Sequence, residues 1–151
     1  MRKFYVAASF AYKDREKTEN RKKNIDRIVE YLQGLNSADS FFIPHHLQIP
    51  HAWDLSLEEW AKKVFEHDFK ALVEADIVIF ISWGKENNSG SVWETGYAYA
   101  KGKPVIVIKM NNDVESLMIT NTARAFLKED QIWLYDWVGL PTQKIQLTEI
   151  S

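Results

Sequence analysis

Two segments of this chain set polar groups beside aromatics, as a binding cleft requires: residues 9–15, and residues 83–97 with Asn87-Asn88-Ser89-Gly90-Ser91-Val92-Trp93-Glu94 at their centre. Glu94 has two readings. Ser91-x-x-Glu94 is the pattern of a capping box, in which the carboxylate only satisfies a backbone donor; facing a cleft, the same group could act on a substrate. Asp68 shares a helical face with Val64 and Leu72, so a buried carboxylate with a structural hydrogen bond is one outcome for it. Tyr5 reads as a strand aromatic whose hydroxyl needs a partner. His45, His46, His51 and His67 show no H-E-x-x-H arrangement or zinc-like spacing, so no metal is expected. No cysteine is present, which excludes a thiol nucleophile and any disulfide. Lys13 and Arg15 read as solvated loop charges.

The elements that must position these groups follow from the apolar pattern. FYVAASF (residues 4–10) is a short buried strand, and residues 18–35 carry Ile25, Ile28, Val29, Leu32 and Leu35 at helical spacing, stopping near Gly34. Residues 41–43 form a second strand before a loop that ends at Trp53. Ser56-Leu57-Glu58-Glu59 is a capping box, so a helix starts there and runs to about residue 74. IVIFIS (77–82) and residues 105–108 are apolar without alternation, as in strands covered on both faces. A helix over 91–101 separates them, and a helix near 114–126 and a strand near 131–134 complete the series. Alternating strands and helices predict an α/β sandwich with a parallel sheet of roughly five strands. Ligands then bind beyond the carboxyl ends of the strands, which is where residues 9–15 and 83–97 fall.

Composition agrees with one folding unit over residues 1–151: 46% hydrophobic and 26% charged residues are ordinary for a globular protein. Nineteen Lys and Arg against 21 Asp and Glu leave a net charge of -2, so there is no positive field to collect nucleic acid or a membrane surface. The N-terminus lacks the pattern of a secretory signal, and no apolar run approaches the roughly 20 residues of a membrane span. A cytoplasmic protein is the expectation.

The run over 89–104, with Trp93-Glu94-Thr95-Gly96-Tyr97-Ala98 and then Gly102-Lys103-Pro104, resembles the signature of the nucleoside 2-deoxyribosyltransferase family. The opening Phe4-Tyr5-Val6-Ala7-Ala8-Ser9-Phe10 is similar to the family's first strand and turn. Trp60, Asp68 and Asp76 are similar to its W…D…D spacing, and Ser116-Leu117-Met118-Ile119 resembles its N-L-M-I segment. The resemblance implies a flavodoxin-like three-layer sandwich that moves deoxyribose between nucleobases through a covalent glutamyl sugar. On it, Glu94 is the nucleophile, in the first turn of a helix whose N-terminus keeps it ionised, and Tyr5 orients it. Asp68 passes a proton to the departing base, Gly90 admits the sugar, and Asn88 contacts base or sugar. Ser9, Phe10 and Trp60, with Trp53, are candidate substrate contacts, while Trp93 and Tyr97 read as packing. Substrates are 2'-deoxynucleosides and free nucleobases, with no cofactor, and Ser116 reaches the site of a neighbouring subunit in a homo-oligomer.

Two positions depart from the pattern. Asn88 stands where the transferases carry an aspartate, and an amide cannot act as an acid. Ser116 stands where they carry an asparagine, and a serine there resembles the related deoxynucleoside 5'-monophosphate N-glycosidases, which hydrolyse the bond. A non-catalytic nucleotide-binding module on the same sheet is a third reading.

Overall fold

The computed structural model describes residues 1–10 and 13–140; the chain end at 151, expected to close the domain, lies outside the described residues. Five strands, β1 (Lys3–Ala8), β2 (Ser40–Phe42), β3 (Ile77–Ser82), β4 (Val105–Lys109) and β5 (Ala125–Lys128), form one all-parallel sheet in the order β2-β1-β3-β4-β5. Helices α1 (Arg15–Leu35), α2 (Leu57–Glu74), α3 (Ser89–Ala100) and α4 (Leu117–Thr122) cover it on both faces, the flavodoxin-like three-layer arrangement.

Alternation along β1 decides which residues meet which helices. Phe4 and Val6 face Ile25, Ile28 and Leu32 of α1, together with Ile79, Ile106 and the late residues Ile132 and Trp137. Tyr5 and Ala7 face the other way, with Val78, Phe80 and Val107 against Leu72 of α2, Ala98 of α3 and Ile119 of α4. Tyr5 therefore points its phenol toward the layer that carries α2 and α3. The order of strands reverses between β1 and β3, whose register pairs Ala8 with Ile81, so the loops after these two strands diverge to opposite sides and leave a crevice between them.

The chain departs from the sequence pattern mainly after β4. The expected helix over 114–126 is only Leu117–Thr122, capped by Ser116, whose Oγ accepts from the Ile119 N–H at 3.3 Å. Thr120 and Thr122 turn their hydroxyls onto carbonyls of the same short helix, a local bonding that does not favour extension. The fifth strand is Ala125–Lys128, paired with β4 from Ile106 and Ala125 onward, and not residues 131–134. Residues 131–134 lie in a 3-10 segment, Glu129–Leu134, whose apolar signal comes from Ile132, fully buried beneath the sheet. Trp137 closes this corner by donating its ring N–H to the Ile132 carbonyl at 2.9 Å. The α1 helix begins earlier than its apolar residues indicate, because Asp14 caps it by accepting from the Lys17 N–H at 3.2 Å.

Candidate active site

The crevice is framed by the ends of β1 and β3. After β3, Ser82 Oγ donates to both oxygens of buried Glu115, at 2.8 and 3.0 Å, and accepts from the Gly84 N–H at 3.1 Å. Lys109, itself buried, faces Glu115 at 3.7 Å. This cluster fixes where the turn leaves the sheet. Gly84 has φ of 91°, and an added Cβ would lie 2.9 Å from Asp113, so only glycine makes that turn without strain. Asn88 then donates its side-chain amide to the Gly84 carbonyl at 3.0 Å and serves as the N-cap residue of α3. After β1, the Ser9 carbonyl accepts from buried Arg21 at 2.9 Å, and the Arg21 guanidinium lies over the Trp83 ring. Both loops are thereby tied to rigid elements.

Glu94 is the central group. Helix α3 starts at Ser89, so Glu94 sits in its second turn and takes no part in a capping box; its Oε2 instead accepts the hydrogen bond of the fully buried Tyr5 hydroxyl. The expected first-turn placement fails because Asn88, and not Ser91, begins the helix. Burial outweighs the Tyr5 bond and, with the nearby charge of Asp68, pushes the Glu94 carboxyl up to about 7. The helix N-terminus does not hold it ionised: the dipole acts within the first turn, and Glu94 lies beyond it. Asp68, on α2, is raised by burial to about 6, with His67 opposing. Its Oδ1 is buried with no hydrogen-bond partner among the described residues, unlike the satisfied structural carboxylate that its helical spacing allowed. Tyr5 is pushed well above the ordinary phenol value by burial and the adjoining carboxylate, so it stays a donor.

Two cavities meet at Asp68, Gly90 and Glu94. One, of about 280 Å³, is walled by Phe65, Phe69, Leu72 and Trp93, and its apolar faces suit a flat ring. The other, of about 210 Å³, is lined by Ser9, Phe10, Pro44, Asn87 and Ser91, with Ser9 Oγ 3.3 Å from Ser91 Oγ. A Cβ added to Gly90 meets nothing within 4 Å, so the glycine opens onto the junction of the two lobes. Larger clefts of about 540 and 710 Å³ lie near the ends of β4 and β5. Their size does not make them reactive: Arg27 there is paired with Glu129 at 2.8 Å and Lys109 with Glu115 at 3.7 Å.

Of the residues singled out from the sequence, Glu94, Asp68, Gly90, Ser9 and Phe10 line the joined cavities, and Tyr5 stands directly behind Glu94. Asn88, Trp60 and Ser116 line neither lobe. Asn88 is turned onto Gly84, and Asn87, left-handed at φ of 52°, lines the polar lobe in its place. Trp60 is 41% exposed and Trp53 82%, while Ser116 caps α4. Trp93 forms part of the apolar wall, where packing alone was expected, and stacks on Tyr97. Phe65 and Phe69 were missed; they flank Asp68 at three- and one-residue offsets on α2 and stack at 5.7 Å, so an aromatic pair at i, i+4 beside a carboxylate was the available signal. No described helix is long and apolar enough to cross a membrane.

The fold and the cleft define a small, doubly wound α/β protein whose switch point carries a tyrosine-bonded glutamate and a second carboxylate raised by burial. Residues 4–129 match the model of the nucleoside 2-deoxyribosyltransferase family, and the chain belongs to that family. It is 24% identical over 130 residues to a nucleoside deoxyribosyltransferase of Lactobacillus johnsonii, covering 84% of each chain. Among solved structures it is similar to a 2-deoxyribosyltransferase of Bacillus psychrosaccharolyticus, with a TM-score of 0.76, 27% identity, and coverage of 95% of this chain and 99% of the other. It shares its fold with a CMP N-glycosidase of Clostridium botulinum at a TM-score of 0.55 and 17% identity, covering 87% and 92% of the two chains.

Proposed function

We propose that the protein is a nucleoside 2-deoxyribosyltransferase that works through a covalent glutamyl sugar. The observation that carries this reading is the Tyr5–Glu94 hydrogen bond facing Asp68 across the joint of the two cavities. A glutamate oxygen attacks the anomeric carbon as the N-glycosidic bond breaks, and the bonding pair leaves with the base nitrogen. The base takes a proton from Asp68. A second base then attacks the same carbon, returns a proton to Asp68, and frees Glu94 as carboxylate. The transition state is positive and oxocarbenium-like, so an anionic nucleophile stabilises it as well as attacking.

Glu94, raised to about 7, and Asp68, raised to about 6, titrate as a coupled pair that holds one proton between those values, and burial leaves that proton mainly on Glu94. The Tyr5 hydrogen bond opposes that burial and keeps the ionised form of Glu94 within reach, while Asp68 Oδ1, buried with no hydrogen-bond partner among the described residues, gains from a proton. The first step needs the other arrangement, charge on Glu94 and the proton on Asp68, which a bound base that accepts from Asp68 would favour. With Asn88 committed to Gly84, proton transfer to the base falls to Asp68. The base stacks in the apolar lobe and the sugar extends past Gly90 toward Ser9 and Asn87.

The working unit in this reading is a homo-oligomer. Trp93 is 53% exposed and Phe65 55%, while Leu117 and Met118, beside Ser116, are 79% and 74% exposed, an apolar surface consistent with a second copy that brings Ser116 to the sugar. Ser116 also favours the rival reading, hydrolysis of a deoxynucleoside 5'-monophosphate with a phosphate near that hydroxyl. Chromatography of reactions with deoxyinosine or deoxyuridine, with and without adenine, beside the matching 5'-monophosphates, separates the two. Deoxyadenosine that forms only with adenine supports transfer. Free base and deoxyribose 5-phosphate without exchange would make the enzyme a hydrolase. Asp68→Asn should cut the rate by roughly 10²- to 10⁴-fold, and least for substrates whose base departs unprotonated.

A further inference from the structure

Away from the carboxylate pair, the fold assembles a donor set that the spacing of the histidines did not indicate. His45 and His46, in the 3-10 turn after β2, both direct Nε2 at one oxygen of Asp26 on α1, each at 2.8 Å. The rings are nearly perpendicular, at 87° with centroids 4.5 Å apart, so they approach that oxygen from different directions. All three donor atoms lie within 4.8 Å of one another. We infer that Asp26, His45 and His46 form a binding site for a divalent transition metal of the zinc, nickel or copper class, which ties α1 to the loop after β2. The inference does not depend on the reaction performed in the cleft.

Two neutral imidazoles and one carboxylate are the donors that such ions select, whereas magnesium prefers oxygen alone. A tetrahedral ion with bonds of about 2.0 Å holds its donors about 3.3 Å apart, so each histidine nitrogen must draw back from the Asp26 oxygen by roughly 0.5 Å. It can open: the Asp26 and His46 side chains are 47% and 55% exposed, and only His45, at 5%, is fixed. The exposed side leaves room for water as a further ligand. On binding, the proton on each Nε2 must leave that nitrogen. The Nδ1 atom of His45 is buried with no hydrogen-bond partner among the described residues, so none of these supplies the outer hydrogen bond that tightens most histidine–metal bonds, and moderate affinity is expected. His45 lies edge-on to Phe10, 5.3 Å between ring centres, and adjoins Pro44, and both neighbours line the polar lobe. A bound ion would therefore stiffen one wall of the cleft.

The test is calorimetric titration of tag-free, chelator-treated protein with zinc chloride and, separately, magnesium chloride. The expected result is saturable binding of one zinc ion per chain and no magnesium binding. His46→Ala and Asp26→Asn, both at exposed positions that leave the core untouched, should each weaken zinc binding by at least tenfold, since even an outer partner of a metal ligand is commonly worth 10–100-fold. Zinc should also raise the melting temperature of the parent protein and not of either variant. Absence of saturable zinc binding, or zinc affinity unchanged in either variant, would overturn the assignment.

Discussion

Glu94→Gln should stabilise the protein at alkaline pH while abolishing base exchange. The native carboxyl is raised from an ordinary 4.5 to about 7, chiefly by burial. A group with a raised native pKa gives its full stability below the unfolded value, and that stability is lost as pH rises through the native value. For this shift the loss reaches about 3 kcal/mol once both states are ionised, at about 1.36 kcal/mol per pH unit. At pH 5 about 1 kcal/mol is already lost, and at pH 8 nearly all of it, a difference of about 2 to 3 kcal/mol from the same linkage. Glutamine keeps the shape and an acceptor for Tyr5 but carries no charge at either pH. Urea unfolding of both proteins at pH 5 and pH 8, at one fixed protein concentration, reads the effect. The variant's stability relative to the parent should improve by about 2 to 3 kcal/mol between the two pH values. A gap that does not change with pH would show that Glu94 is not desolvated, and a variant that still exchanges bases would remove it as nucleophile.

Exchange itself should follow a bell in kcat/KM with limbs near 6 and 7, because the reactive form holds one proton on the Asp68–Glu94 pair. Tyr5→Phe deletes the donor that favours ionised Glu94, so the limb near 7 should move to higher pH; an unmoved profile with a uniformly lower rate would reduce Tyr5 to a packing role. Asn88→Asp, which restores the family's residue type, removes the donor to the Gly84 carbonyl and should cost about 1 to 2 kcal/mol in thermal or urea unfolding. Unaltered stability would mean that the amide does not hold the turn.

What the sequence shows of the fold follows from how much each element relies on its own pattern. Strands β3 and β4 are legible because both faces are covered and residues 77–81 and 105–108 are apolar without a break, and α2 because Ser56 and Glu59 form the capping box that its pattern implies. The region after β4 is not legible, because Ile132 is buried by a 3-10 turn as completely as it would be by a strand. Around the cleft, Ser91-x-x-Glu94 is locally sufficient for a cap, and only the tertiary contact with Tyr5, 89 residues away, draws the carboxylate elsewhere. The Ser82–Glu115–Lys109 cluster was invisible for the same reason: Ser82, which donates to Glu115, stands 33 residues before it in the chain.

The shape of the cleft also bears on whether the proposed glutamyl sugar is captured by a base or by water. A nucleobase gains from stacking on the walls of Phe65, Phe69 and Trp93, on the order of 1–3 kcal/mol per aromatic contact, whereas water gains nothing there. That preference holds only while the apolar lobe stays dry. In a single chain Phe65 and Trp93 are each more than half exposed, so the lobe opens to solvent along its outer wall. Covering that wall with a second copy would exclude water from the face where the acceptor base must sit and strengthen the field between Glu94 and Asp68. On the proposed reading, assembly and the choice between transfer and hydrolysis are therefore coupled: a subunit contact that brought Ser116 to the sugar would also keep water from competing with the incoming base.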